Sequence, residues 1–264
     1  MNGTNRETQA DRPGAGGVLF ILLGASNLAR AYSGFARLLE EGVRPRPARF
    51  LNAMGPGRGY SRPGGFVSVV YPPIGSCGLF SAAREQADGA ERTVALVADI
   101  GNDIMYGASA EDVVADLEAI FEKLRGLGAD ILAVPIPEIF EDNFGEFYFR
   151  CLRFLFYPRS SAGRAEAVAA IRRINRFLKD SESGRGIRLI RGLDRYCGFD
   201  KIHYDFFQMH RVWSEISREI FRVLETDPPP ALGPLSMAAS LGANMLRLFF
   251  SDMLPFVKKG PGFY

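Results

Sequence analysis

Two histidines occur among the 264 residues, His203 and His210. Histidine is the simplest general base near neutral pH, because its unperturbed pKa of about 6.5 lies in the working range. Asp200 precedes His203 by three positions, so one turn brings its carboxylate to Nδ1 and fixes the tautomer. His210 falls inside a helical pattern, where packing or capping is the expected role. A nucleophile for such a base stands in Gly24-Ala25-Ser26-Asn27, between an apolar run and a helical pattern. A tight turn there lifts the Ser26 hydroxyl clear and leaves its N–H beside a helix N-terminus, where aligned peptide dipoles favour an oxyanion. Asn102, in Asp99-Ile100-Gly101-Asn102-Asp103, supplies an amide that can donate to a developing negative oxygen, worth on the order of 3 kcal/mol in acyl transfer. The chemistry these types support together is attack of a hydroxyl on an acyl carbon.

A fourth stretch, Asn52-Ala53-Met54-Gly55-Pro56-Gly57-Arg58-Gly59, has glycines that let backbone N–H groups approach a ligand. It is not a phosphate loop: the Lys-Ser/Thr pair is missing, and Pro56 and Pro63 remove donors. Taken singly, each stretch also has an ordinary structural reading. Ser26 can cap a helix, the glycines can form a plain turn, Gly101-Asn102 can be a loop dipeptide, and a lone His203 is usually structural.

What must position these residues is written in the alternation of short apolar runs with longer amphipathic ones. Strands are expected at Val18–Leu23, Ala48–Ala53, Thr93–Ala98, Ile131–Ile136 and Ile187–Ile190, and helices at Leu28–Glu41, Ala110–Leu127, Arg164–Lys179 and Phe206–Leu224. That pattern implies an α/β fold, a three-layer α/β/α sandwich with a five-stranded parallel sheet and loops for chemistry at the carboxyl ends of the strands. The four stretches fall at four of those ends.

This order of residue types resembles the SGNH/GDSL hydrolase family, over roughly residues 17 to 224. The resemblance implies a flavodoxin-like fold and a serine hydrolase acting on a small acyl ester through an acyl-enzyme, as an esterase, lipase, thioesterase or deacetylase, without metal or organic cofactor. It implies Ser26 as nucleophile, Asp200 and His203 as its acid–base pair, and Ser26, Gly57 and Asn102 as oxyanion donors. Gly57 lies five positions after Asn52, the interval from the family's Asn to its glycine; Gly55 is the alternative donor. The departure is Ala25, which stands where the family's Gly-Asp-Ser-Leu has Asp, so the chain reads as a divergent branch. Asn27, Gly55, Arg58 and Asp103 are candidate substrate contacts; Arg58 and Arg62 follow the glycine, and their ordinary reading is solvated loop arginines, the alternative being positive charge facing the cleft for an anionic substrate. The competing readings are an acyltransferase on the same site and a catalytically weak binding protein of the same fold.

Composition bounds the rest. With 32 basic against 30 acidic residues and a formal charge of +2, the concentrated basic surface that nucleic acid requires is missing. Cys77, Cys151 and Cys197 lack paired metal-ligand spacing and read as free thiols in a reducing compartment. The first sixteen residues are polar, without the apolar stretch of a secretory signal, and no run of 18 apolar residues occurs. A cytoplasmic protein is expected, divided into a flexible tail (1–16), a catalytic domain (17–226) and a Pro-rich linker with an amphipathic tail (227–264). The aromatic stretch Glu138–Pro158 suits either a pocket wall or a covering of the core. In the tail, Leu235, Met237, Leu241, Met245, Leu248, Phe249, Met253 and Phe256 have near-helical spacing. That stripe is expected to dock on the parent domain or a second copy, or less readily on a membrane surface.

Overall fold

The computed structural model describes residues 16–66, 69–138, 145–247, 250 and 262–264. Strand β1 (Val18–Leu23) is buried along its whole length and lies between β2 (Ala48–Ala53) and β5 (Arg92–Val97), parallel to both. β6 (Asp130–Ala133) and β7 (Arg188–Leu189) continue the sheet, again in parallel, to give the order β2-β1-β5-β6-β7. This is the flavodoxin-like order of doubly wound α/β sheets.

A strand with apolar residues at every position needs cover on both faces, and the alternation of β1 divides that cover. Val18, Phe20 and Leu22 belong to a core with α1 (Ser26–Val43) and α7 (Met209–Leu224), where the tilted rings of Phe35 and Trp213 pack with centroids 4.7 Å apart. Leu19, Ile21 and Leu23 face the opposite core, built on α2 (Leu79–Ala87), α4 (Ala110–Gly126) and α6 (Arg164–Arg185). The expected sandwich is therefore the observed one.

Element bounds shift where the sequence sends mixed signals. β6 stops at Ala133, short of Pro135 and Pro137. Beyond it, the buried Asn175 side chain pairs with both backbone groups of Ile136, at 2.9 and 2.8 Å, as a strand would. α7 begins at Met209 rather than Phe206 because the chain from Asp200 to Gln208 is taken up in turns. Four elements had no counterpart in the sequence reading: α2, the antiparallel pair β3 (Gly64–Phe66) and β4 (Val69–Tyr71), and the short α3 (Asn102–Met105).

The expected aromatic stretch becomes α5 (Glu146–Phe156). Phe149 and Leu152 turn inward, whereas Phe147, Phe154 and Leu155 face solvent; Phe140 and Phe144 lie outside the described residues. The tail forms α8 (Pro234–Arg247), packed on α1 of the same chain. Its buried face corrects the expected apolar stripe: Met237, Ser240 and Asn244 are buried, while Leu235 and Met245 are exposed. Ser240 Oγ accepts the Gly34 N–H at 2.6 Å and Asn244 donates to the Arg30 carbonyl at 2.9 Å, so small polar groups and a glycine let the two helices approach. Leu248, Phe249, Met253, Phe256 and the N-terminal residues 1–15 lie outside the described residues. No described helix is long and apolar enough to cross a membrane. Cys77, Cys151 and Cys197 are free.

Candidate active site

Ser26 opens α1 immediately after β1, and the N-cap position is taken by Ala25, which has no side chain to cap with. The simple capping role for Ser26 is therefore not what is observed. Its Oγ instead lies 2.9 Å from His203 Nε2, and His203 Nδ1 lies 2.7 Å from Asp200 Oδ2. The loop carrying the pair is wound tightly. Asp200 Oδ1 accepts the N–H groups of Ile202 and His203 at 3.0 and 2.9 Å, and Lys201 adopts a left-handed φ of 59°. Burial works to raise the Asp200 pKa, but the hydrogen bonds from the His203 ring and backbone outweigh it and hold the carboxyl below its ordinary value. Asp200 is thus an ionised acceptor at the far side of the imidazole. Phe156 of α5 covers the ring, its centroid 5.3 Å away. Nearby Cys197 is a poor thiolate, pushed up to about 12 by burial.

The turn that Ala25 cannot brace is held from β5. Asp99, which follows that strand with φ 55°, accepts the Ala25 and Leu28 N–H groups on Oδ2 at 2.9 and 3.0 Å, and the Asn27 amide on Oδ1 at 3.0 Å. Asn27 also donates to Ile202 O at 3.2 Å and accepts the Tyr204 N–H at 2.9 Å. Its expected place near substrate is corrected to this extent: its side chain borders the cleft, but its amide is spent on the two loops.

Across the cleft, Asn102 opens α3. Its Nδ2 donates to Arg58 O at 2.9 Å and its Oδ1 accepts the Tyr157 hydroxyl, which orients the amide and leaves a second N–H. The bond to Arg58 O sets the glycine loop beside Asn102. Gly57 has φ 71°, and a Cβ there would meet Gly65 O at 2.4 Å; one at Gly55 would meet the Tyr71 ring at 2.4 Å. Tyr106 donates to Gly57 O at 2.6 Å. The N–H groups of Ser26 and Gly57 find no acceptor among the described residues.

Two further expectations for this loop are corrected. Asp103 is fully buried and accepts the N–H groups of Tyr60, Ser61 and Arg62 at 2.7, 2.9 and 2.8 Å, so it shapes the loop instead of meeting substrate. Burial raises its pKa against the pull of those bonds. Arg58 is also fully buried: its guanidinium donates to Pro72 O at 3.1 Å and to the backbone oxygen of Tyr264. Arg62 points away to Asp112 at 3.3 Å on the surface. Sequence reasoning missed Asp99 and Tyr106, and it marked Tyr157 only as part of the aromatic stretch that suits a pocket wall, not as a partner of Asn102. The position of Asp99 at a strand end was a usable signal in a chain with Ala at 25.

Between these two sides opens a cleft of ≈ 1020 Å³, its mouth included, lined by Ser26, Asn102, Ile100, Ile104, Val134, Ile136, Phe149, Leu152, Tyr157 and Ile171. Most of that wall is apolar. No cluster of three or more metal-ligating side chains occurs among the described residues.

No family model matches the chain, and no curated protein matches its sequence. Among solved structures, the chain is similar to the esterase EstA from Pseudoalteromonas sp., at 16% identity and a TM-score of 0.44, over 78% of this chain and 98% of that one. A lipolytic G-D-S-L family protein from Veillonella parvula gives 14% and 0.48, over 78% and 98%. A family 3 carbohydrate esterase from Talaromyces cellulolyticus gives 10% and 0.41, over 79% and 98%. What this site can do is set by its own side chains.

Proposed function

We propose that the chain is a serine hydrolase of acyl esters, with Ser26 as nucleophile and His203 and Asp200 as its proton-transfer pair. The observation that carries this is the unbroken series Asp200 Oδ2, His203 Nδ1, His203 Nε2, Ser26 Oγ, with contacts of 2.7 and 2.9 Å, at the mouth of an apolar cleft. Neutral His203 takes the Ser26 proton as Oγ attacks the carbonyl carbon, and Asp200 stabilises the imidazolium. The negative oxygen is received by the Ser26 and Gly57 N–H groups and by the uncommitted N–H of Asn102. The imidazolium returns its proton to the departing alkoxide, and water then releases the acyl group from Ser26 by the same route. The acyl chain occupies the wall formed by Ile100, Ile104, Phe149 and Leu152, which favours an apolar acyl group over a charged one.

A fluorophosphonate probe and a series of nitrophenyl esters of increasing acyl length test this. The wild type is expected to label and to turn over esters. Ser26→Ala is expected to lose labelling and about 10⁴-fold or more in kcat, with its circular dichroism unchanged. An inert wild type, or a Ser26→Ala protein that labels equally, would contradict the proposal.

A further inference from the structure

Resting on the hydrolase reading, we infer that Asp99 is the positioning carboxylate of the nucleophile turn, and that through Asn27 it sets where His203 stands relative to Ser26. The helix that Ser26 opens begins without help of its own: Ala25 offers no cap and the first turn of α1 contains no acidic residue. The orphan N–H groups of Ala25 and Leu28 are instead taken by one oxygen of Asp99, reaching across from the neighbouring strand. Gly24 leaves room for Leu28, whose side chain a Cβ there would meet at 2.9 Å, so the first turn can close against the Asp99 carboxylate. Asp99 reaches this place in a left-handed conformation, φ 55°. A non-glycine residue adopts it at a cost, and Asp and Asn tolerate it best.

The second oxygen does different work. It receives the Asn27 amide, and Asn27 in turn grips Ile202 O and Tyr204 N, the backbone groups on either side of His203. One carboxylate therefore fixes the serine turn with one oxygen and, through a single side chain, the histidine loop with the other. The two loops lie 177 positions apart in sequence, and the described residues offer few other direct ties between them. The donor and acceptor pattern admits one reading only: Asp99 accepts on both oxygens, so Asn27 must present Nδ2 to it and Oδ1 to Tyr204.

That polarity supplies the test. In Asp99→Asn the new amide nitrogen faces either the backbone N–H groups or the Asn27 amide. The expected result is a fall in kcat of about 10- to 100-fold with KM little changed, as follows from misplacing reacting groups, and a parallel fall in the rate of phosphonate labelling. The exchange Asp99→Asn with Asn27→Asp reverses donor and acceptor between the two side chains. It is expected to recover at least several-fold of the loss but not all of it, because the carboxylate introduced at 27 faces Ile202 O with no proton between them. Asn27→Asp alone sets two carboxylates face to face and is expected to be worse than the exchange. Asp99→Asn within about twofold of wild type, or a folded exchange variant no better than either single change, would overturn the inference. Should Asp99→Asn fail to fold, Asn27→Ala decides: it keeps the bonds of Asp99 to the turn, so a well-folded protein with undiminished kcat overturns the inference and a lowered kcat supports it. A wild type that neither labels nor hydrolyses esters defeats the hydrolase reading itself; equal labelling of wild type and Asp99→Asn leaves that reading standing and defeats only this one.

Discussion

The two sides of the cleft are built by opposite means. On the serine–histidine side, side chains bond to side chains and to nearby N–H groups across three loops, through Asp99, Asn27, Asp200 and His203. On the opposite side, proposed to receive the oxyanion, Asp103 gathers the backbone N–H groups of Tyr60, Ser61 and Arg62, and two tyrosines hold further groups, Tyr106 at Gly57 O and Tyr157 at Asn102. In the proposed mechanism the first arrangement fixes side chains whose protons move, and the second fixes a backbone that only presents hydrogen-bond donors. The two carboxylates differ accordingly: Asp200 is held below its ordinary pKa by the imidazole and backbone bonds that oppose its burial, whereas burial prevails at Asp103 and raises it.

The largest expected effect on this contrast comes from Asn102→Ala, which removes the side-chain amide proposed to donate to the oxyanion. It should lower kcat by about 10²- to 10³-fold while leaving phosphonate-independent properties such as the urea midpoint near wild type. An unchanged kcat would show that backbone N–H groups suffice and would sharpen the contrast further.

Next is Asp103→Asn, which turns an acceptor toward the Tyr60 N–H into a donor and should cost about 1–3 kcal/mol of stability, read from urea unfolding. Its pH dependence has a definite sign. An acid whose folded pKa is raised loses stabilising influence as pH climbs from the ordinary value, about 3.9, through the folded one. The gap between wild type and Asp103→Asn should therefore narrow over that interval. Asp200 contributes oppositely, its stabilisation being complete above the ordinary value and lost as pH falls through the lowered one. A gap that widens with rising pH would break the comparison.

The smallest is Tyr157→Phe. It deletes the hydroxyl that orients Asn102, with an expected fall in kcat of about 5- to 10-fold, corresponding to roughly one hydrogen bond. KM for short-chain esters should stay unchanged, because the ring remains in the cleft wall. A larger loss in KM than in kcat would instead make Tyr157 a substrate contact.

Much of the sheet was legible because its strands are short runs of residues buried on both faces, a pattern that needs no partner to be recognised. Ser26 was legible because it follows β1 directly, and Asp200 and His203 because the chain has only two histidines and one of them follows an Asp by three positions, although the pair lies in turns well past the end of β7. The supporting residues were not. Asp103 and Arg58 look like groups for substrate when read along the chain, and only the path of the backbone shows that one collects N–H groups and the other is closed in by Pro72 and Tyr264. Tyr157 acts on Asn102 from 55 positions away, and no local spacing encodes that. The packed face of α8 escaped for a related reason: hydrophobic periodicity marks apolar stripes, whereas close helix approach here selects Gly34, Ser240 and Asn244.

Residues Gly262–Tyr264 have a consequence of another kind. They lie along the outer side of β2, where Asn52 N–H donates to Gly262 O at 2.7 Å and Tyr264 N–H to Asn52 O at 3.0 Å. An outermost strand with bare peptide groups is a template onto which a second chain can zip, and at this point the protein has closed that template with its own polypeptide. The closure depends on a residue without a side chain, since a Cβ at 262 would sit 2.4 Å from Phe50 O. The peptide groups of Asn52 are thereby withheld from edge-to-edge pairing, and Tyr264, which supplies half of that closure, also accepts the buried Arg58 guanidinium on its backbone oxygen.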